Sequence, residues 1–408
     1  MEKPELLAPG GSLEKLKTAI LYGADAVYIG GEAYSLRVAA ENFSLDDMKR
    51  GLEFAHERGK KVYLTANIIP HNRDIEDFEK FITEIAPLGF DAVLISDPGM
   101  FEITHELAPD LPIHISTQAN NVNYKSASFW YKQGAKRVVL AREMSLKEIK
   151  EIREKTPKDL ELEAFVHGAM CISYSGRCLL SNYMTARDAN QGACSHPCRW
   201  NYFLVEETRP NEYMPVFEND RGSFIFNSKD LCMIEHIPEI IESGITSLKL
   251  EGRVKTAYYV ATVVKAYRYE IDRFLENPEK YKFNPESMEE LLKVSHRPYS
   301  TGFYFGKPNE NSQVYTSSSY IRDYDLIGIV TDFDEKTGIA TVSQRNRFFK
   351  GNEIEILRPD KPYFSQKIEF MQNESGEDID VARNAEMTVK IKLDDTAEKG
   401  SMLRKRRE

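Results

Sequence analysis

Long apolar runs are missing from this chain. Nowhere do eighteen apolar residues follow one another, so no segment reads as a membrane span. The opening residues, Met1-Glu2-Lys3-Pro4-Glu5, lack the apolar stretch of a signal peptide and lead straight into a strand-like segment, so the expected setting is the cytoplasm. Several hydrolase signatures are missing as well. His105-Glu106 is followed by Leu107-Ala108-Pro109 instead of completing H-E-x-x-H, and no G-x-S-x-G elbow occurs. A phosphate-binding P-loop is absent. Gly10-Gly11-Ser12 is a strand-to-helix turn suited to an anion, but it is also ordinary punctuation. Positive charge is not in excess. The net charge of −10 excludes bulk attraction to nucleic acid, and any such contact needs a local basic patch. The terminal run Arg404-Lys405-Arg406-Arg407 is one candidate patch, against the plainer reading of a solvated end.

Cysteine is scarce, with five in 408 residues, yet four of them fall between positions 171 and 198. A disulfide framework does not suit a large chain in a reducing compartment. Clustered thiols there read as metal ligands or catalytic groups.

What is present is the composition of a soluble globular protein, 41% hydrophobic and 29% charged. The length suits one large domain and one small one. Over the first 250 or so residues one pattern recurs: a short β-branched run, a loop, then an amphipathic stretch with apolar residues at spacings of three and four. The predicted strands are Leu6–Ala8, Ala26–Ile29, Lys61–Ala66, Ala92–Ile95, Ile113–Thr117, Arg137–Leu140, Leu160–Val166 and Ser247–Leu250. Predicted helices include Ser12–Tyr22, Leu45–Arg58, Asp77–Pro87 and Ser145–Lys155, with Ser12 and Ser145 as N-caps. Gly23, Gly59, Gly89 and Gly134 stand near helix ends. Eight such units fit a TIM-like (β/α)₈ barrel, with a doubly wound open sheet as the alternative.

The seventh unit breaks the rhythm. An insertion over 167–246 carries all five cysteines, a hairpin-like pair at Tyr202–Glu206 and Ser223–Asn227, and a helix near Met233–Ser243. Insertions at the C-terminal ends of barrel strands are where this fold builds active sites. Helices at Ala257–Leu275 and Met288–Val294 follow. The barrel is expected to occupy residues 1–318 and a small β-barrel domain 319–408. The strands of the latter are expected at Leu326–Phe333, Gly338–Ser343, Glu353–Leu357, Gln366–Met371 and Thr388–Ile391, with a hairpin connection at Asp334–Gly338.

The residues with chemical potential begin at Glu163-Ala164-Phe165-Val166-His167-Gly168-Ala169-Met170-Cys171 and continue to Cys178, Cys194 and Cys198, a C-x6-C-x15-C-x3-C spacing. Zinc sites favour tighter pairs, whereas iron–sulfur clusters tolerate irregular spacing. Spacing alone leaves cluster, zinc and uncoordinated thiols open. Gly168, Gly176 and Gly192 would let backbone amides approach sulfide. Cys232 is an alternative fourth ligand or a small buried residue at a helix start. Asn67, Gln118, Asn120, Glu143, His167, Glu251 and Arg253 would share the barrel mouth as substrate ligands or acid–base groups. His167 lies beside the cysteine segment, and His196 is placed to orient or ligate a thiolate.

The run from Glu163 through Cys171 and Cys178 to Ser181 resembles the signature of the collagenase-like peptidase family of unknown mechanism (unassigned peptidase family 32). The segments Gly192–Trp200, Ser247–Arg253, Ser295–Phe303 and Leu6–Ser12 resemble that family too, so the likeness spans the barrel. It implies oxygen-independent hydroxylation. The closest branch makes 5-hydroxyuridine at the tRNA wobble position, with prephenate as the implied oxygen source. It also implies a [4Fe–4S] cluster on Cys171, Cys178 and Cys194, with Cys198 or Cys232 as the fourth ligand. His167, Glu251 and Arg253 are then the expected catalytic group, and Arg177, Arg187, Arg199 and Arg253 the expected contacts to phosphates or a dicarboxylate. tRNA is the expected partner, alongside a homologous family partner chain. A peptidase and a non-catalytic RNA-binding subunit are the competing readings.

Overall fold

The computed structural model of the chain describes residues 3–36, 42–171, 173–174, 177–200, 203–206, 209–215, 227–307, 313–314 and 320–407. Short apolar runs form strands β1 (Glu5–Gly10), β2 (Ala26–Gly30), β3 (Lys61–Ala66), β4 (Ala92–Ile95), β5 (Ile113–Ile115), β6 (Arg137–Val139) and β7 (Glu161–Ala169). Each lies parallel to the next. The intervening helices are α1 (Leu13–Leu21), α2 (Leu45–His56), α3 (Asn72–Ile85), α4 (Pro98–Leu107), α5 (Tyr124–Lys132) and α6 (Leu146–Lys155). Ser12 and Ser145 cap α1 and α6, the latter in a reciprocal box with Glu148. Helix α3 starts five residues before the expected Asp77. There His71 holds the N-cap and Asp74 accepts its backbone N–H at 2.7 Å, a cap outside the usual Ser/Thr/Asp/Asn signal.

After β7 the chain leaves the ring. It forms α7 (Leu180–Thr185), a hairpin of β8 (Phe203–Glu206) with β9 (Arg209–Pro215), and β10 (Asn227–Ser228). The second half of the expected hairpin pair, residues 223–226, lies outside the described residues, as do Tyr202 and Gly176. Asn227–Ser228 pairs with Gln313–Val314. Then β11 (Asp230–Cys232) runs back antiparallel along β7, with Asp230 opposite Ala169. Helix α8 (Ile237–Glu242) leads to β12 (Ser247–Leu250), where Ser247 stands opposite both Glu163 and Glu5. Pairing of β12 with β7 and β1 closes eight parallel strands into a barrel, which sets aside the open sheet.

The lower interior of the barrel is ionic. Arg137 donates to Glu5 at 2.6 Å and to Glu163 at 2.9 Å, while Lys249 meets Glu163 at 2.6 Å. Burial alone would raise the Glu163 carboxyl, but Lys249 and Arg137 outweigh it and hold the group below the usual range. His114 shares this layer, stacked edge-on to Tyr63.

Helices α9 (Ala257–Glu276) and α10 (Pro285–Leu292) connect the barrel to a seven-stranded antiparallel sheet that begins at Tyr324. The connection at Asp334–Gly338 is a tight turn with Gly338 at φ +70°. Two expectations need correction here. The strand read as Gln366–Met371 is two strands, Phe364–Lys367 and Met371–Asn373, at opposite edges of the sheet. The chain must cross between edges, so one continuous strand is excluded.

The basic terminus is not a solvated tail. Met402–Arg406 is a central strand between Tyr324–Asp334 and Glu353–Leu357. Arg404 is fully buried, donating to Glu355 at 2.7 Å and to Glu290 of α10 at 2.7 Å. From the barrel side, the Tyr22 hydroxyl lies 3.0 Å from the carbonyls of both Leu357 and Gly400.

Candidate functional site

The C-terminal ends of the barrel strands open into a cavity of about 1390 Å³, its mouth included. Strand β3 contributes Thr65 and, just beyond it, Asn67; the segment after β5 contributes Ser116 and Gln118; the end of β12 contributes Lys249, Glu251, Arg253 and Lys255. The excursion after β7 supplies the remaining wall, including Cys171, Cys178, Cys194, His196 and Cys198. All four clustered thiols therefore face one space. Cys171 is exposed and the other three are partly so. The backbone N–H of His196 donates to the Cys194 sulfur at 3.4 Å, and His196 sits in the left-handed region at φ 55°.

Among the described residues, no three Cys, His, Asp or Glu side chains converge closely enough to hold a single metal ion. Four thiols on one wall are the donor set that an iron–sulfur cluster takes.

Cys232 lies elsewhere. It is buried on β11, opposite His167, with the Tyr267 hydroxyl 3.8 Å from its sulfur, and it does not line the cavity. Burial pushes its thiol up to about 12.

His167 also stands apart from the cavity lining. Its ring packs among Tyr259, Tyr267 and Tyr299, with Nδ1 3.4 Å from the Tyr267 hydroxyl. Burial lowers its pKa to about 3, with Lys255 and His296 adding to the effect, so the imidazole is neutral. Its carbonyl accepts the N–H of Glu251 at 2.9 Å, which sets the height of Glu251 at the mouth. Gly168, read from sequence as a partner for sulfide, has a different neighbour: a Cβ there would lie 2.7 Å from both the Cβ and the carbonyl oxygen of Glu251.

Arg253 reaches the cavity wall and also grips the frame. Nη1 bonds the hydroxyls of Ser35 and Thr65 at 2.6 and 3.0 Å, and Nη2 bonds the carbonyl of Leu36. Arg177 donates to Asn120 at 2.7 Å, and neither it nor Asn120 is part of the lining. The carbonyl of Arg187 accepts from Ser181, and the Arg199 side chain lies outside the described residues. Glu143 is also off the lining, half-buried, and burial raises its carboxyl.

Three cations on the cavity lining escaped the sequence reading. Arg142 donates to the carbonyl of Ala169 at 2.5 Å, approaches Glu251 at 3.4 Å and lies 3.8 Å from the Phe165 ring. Lys249 reaches down to Glu163 beneath the cavity. Lys255 sits over the Tyr320 ring at 3.8 Å, and burial lowers its pKa against the opposing pull of Tyr320 and Asp230. The strand-end rule was the signal available, and at β6 it selected Glu143 in place of its neighbour Arg142.

Models of two families match the chain: Peptidase family U32 over residues 11–314, and its C-terminal domain over residues 322–404. The chain belongs to peptidase family U32. This U32 chain is 44% identical to "tRNA hydroxylation protein P1" of Bacillus subtilis, across 99% of the chain and 95% of that protein. It is 38% identical to "tRNA hydroxylation protein P" of Escherichia coli, across 95% and 93%. It is 36% identical to the "23S rRNA 5-hydroxycytidine C2501 synthase" of Escherichia coli, across 67% of the chain and 40% of that enzyme. No helix among the described residues is long and apolar enough to cross a membrane.

Proposed function

We propose that this U32 chain is an RNA-modifying enzyme of the cytoplasm that hydroxylates C5 of a tRNA uridine at the wobble position without molecular oxygen. Residues 1–318 would form the catalytic barrel and 319–408 the accessory β domain. Support comes from relatives over almost the full length that are named for tRNA hydroxylation. The observation that carries the reading is the shared cavity, where four thiols face a wall of amides, hydroxyls and cations.

Cys171, Cys178, Cys194 and Cys198 would hold a [4Fe–4S] cluster, which supplies redox chemistry when bound. Cys232, buried and off the cavity lining, is set aside as a ligand. The chain's own residues do the positioning. Arg142 and Lys255 offer positive charge to the carboxylates of an oxygen donor such as prephenate. Glu251 holds Arg142 in place at the rim and is the acid–base group best placed for proton transfer. Arg253 acts as a brace that fixes the loop at Ser35–Leu36 and the end of β3. Phe165, Leu36 and Leu94 form the apolar part of the wall and exclude water from a base drawn out of its stack. A homologous second chain would complete the assembly on tRNA.

The test is anaerobic purification with iron and acid-labile sulfide analysis, followed by nucleoside mass spectrometry of tRNA from cells with and without the protein. About four irons per chain and a 5-hydroxyuridine signal that depends on the protein are expected. Absence of both, or cleavage of a protein substrate by the iron-free chain, would replace this reading with the peptidase that the family's name suggests.

A further inference from the structure

The polar wall between β3 and β5 has a fixed direction. It starts from a main-chain atom. The backbone N–H of Leu36 is able only to donate, and it points at Oδ1 of Asn67 at 3.4 Å. The Asn67 amide is thereby oriented, with Nδ2 turned toward Ser116 Oγ at 3.0 Å and Gln118 Oε1 at 3.1 Å. The Ser116 hydroxyl accepts from Asn67 and passes its own proton to the same Gln118 oxygen at 2.5 Å. Oε1 of Gln118 thus holds two donors. Reversing the Gln118 amide would set its NH₂ against the Asn67 NH₂ and leave the Ser116 proton without this acceptor.

The orientation has a chemical result. With Oε1 engaged by both donors of the wall, the group left over on Gln118 is Nε2, on a half-buried side chain that lines the cavity. An amide NH₂ donates and does not accept. We infer that Gln118 is a specificity-determining residue that reads a carbonyl on the base, so that the site takes uracil and turns away cytosine. Uracil carries a carbonyl at C4, beside the C5 atom that the proposed reaction modifies. Cytosine carries an amino group there, and two facing donors leave both unpaired in a desolvated site. The inference rests on the RNA-hydroxylation reading and adds the choice of base, which Asn67 and Ser116 enforce at one remove by positioning Gln118.

The experiment uses the full-length chain. Wild type, Gln118→Glu and Gln118→Met are expressed in a bacterium stripped of its own tRNA-hydroxylating proteins, and 5-hydroxyuridine and 5-hydroxycytidine in tRNA are measured by mass spectrometry. In parallel, anaerobically purified protein is titrated with a tRNA transcript bearing uridine at the target position and with its cytidine counterpart. Wild type should favour uridine by roughly tenfold or more in both assays. Gln118→Glu keeps an oxygen for Asn67 and Ser116 but faces the cavity with an acceptor, so its preference should fall to near parity. Gln118→Met keeps the length without the donor, and should lose affinity for uridine without gaining cytidine. Unchanged uridine-to-cytidine ratios in both variants, with wild type active, would overturn the role of Gln118 while leaving the hydroxylase reading intact. A wild type that binds uridine selectively through Gln118 yet makes no hydroxylated base would support the recognition and remove the enzyme.

Discussion

Arg142 and Glu251 meet at 3.4 Å where the ends of β6 and β12 converge. Arg142 also donates to the carbonyl of Ala169, so one guanidinium joins three strand ends around the cavity. Replacing Arg142 with Ala should lower kcat/KM for RNA hydroxylation by at least about tenfold, about 1.4 kcal/mol of transition-state stabilisation. Arg142→Lys keeps the charge but not the fork, and should recover only part. An unaltered rate for Arg142→Ala would remove this residue from the site.

The thiols divide into four and one. Iron content measured after anaerobic purification should collapse in Cys171→Ala, Cys178→Ala, Cys194→Ala and Cys198→Ala, and should hold in Cys232→Ala. Iron lost from Cys232→Ala while Cys198→Ala keeps it would reverse the assignment of the fourth ligand.

Gly168 combines φ +109° with close contact to Glu251. A methyl group there must displace Glu251, and the backbone conformation adds strain of about 1–3 kcal/mol. Gly168→Ala should therefore lose activity to a greater degree than its fall in thermal stability explains. Comparison with Glu251→Gln in the same assays separates displacement of the carboxylate from loss of its charge.

Removing Arg404 would leave Glu290 and Glu355 in a half-dry pocket paired with Lys293. Breaking a buried charge network of this kind costs about 3 kcal/mol or more. Arg404→Ala should bring down the denaturation midpoint and expose the joint between barrel and β domain to limited proteolysis. Arg404→Met, which fills the same space without charge, should cost less.

His114 gives the barrel an acid limit. Burial, reinforced by Arg137 and Lys249, keeps its pKa well below the ordinary value, so the folded protein refuses a proton that the unfolded chain accepts. Above about pH 6.5 both states are neutral and this residue contributes no slope. As pH drops below that value, stability should decline by up to about 1.4 kcal/mol per unit. Urea midpoints at pH 7 and pH 5 should lie closer together in His114→Asn than in wild type.

Much of this architecture is legible in the residues. The barrel strands are buried on both faces and appear as short apolar runs, and Lys61–Ala66, Ala92–Ile95 and Ser247–Leu250 coincide with their predicted bounds. What escapes is whatever depends on a distant partner. Arg404 looks like part of a solvated tail because the carboxylates that bury it come from Glu290 and Glu355, far away in the chain. Cys232 reads as an alternative fourth ligand until β11 turns back along β7 and carries it off the cavity lining. His167 sits beside the cysteines in sequence, yet the alternation of a strand points its ring among tyrosines of the outer layer. Arg142 and Glu143 are adjacent, and only the path after β6 decides which of them meets the mouth.

Ala169 and Asp230 face each other across the β7–β11 ladder, so the chain leaves and rejoins the barrel wall at one two-stranded stem. For a loop whose ends are already pinned, doubling its length adds only about 0.6 kcal/mol. The thiol-bearing excursion can therefore vary in length at little entropic cost to the fold. The ring itself closes through β12 against β7 and β1, so its closure does not depend on how long that excursion is.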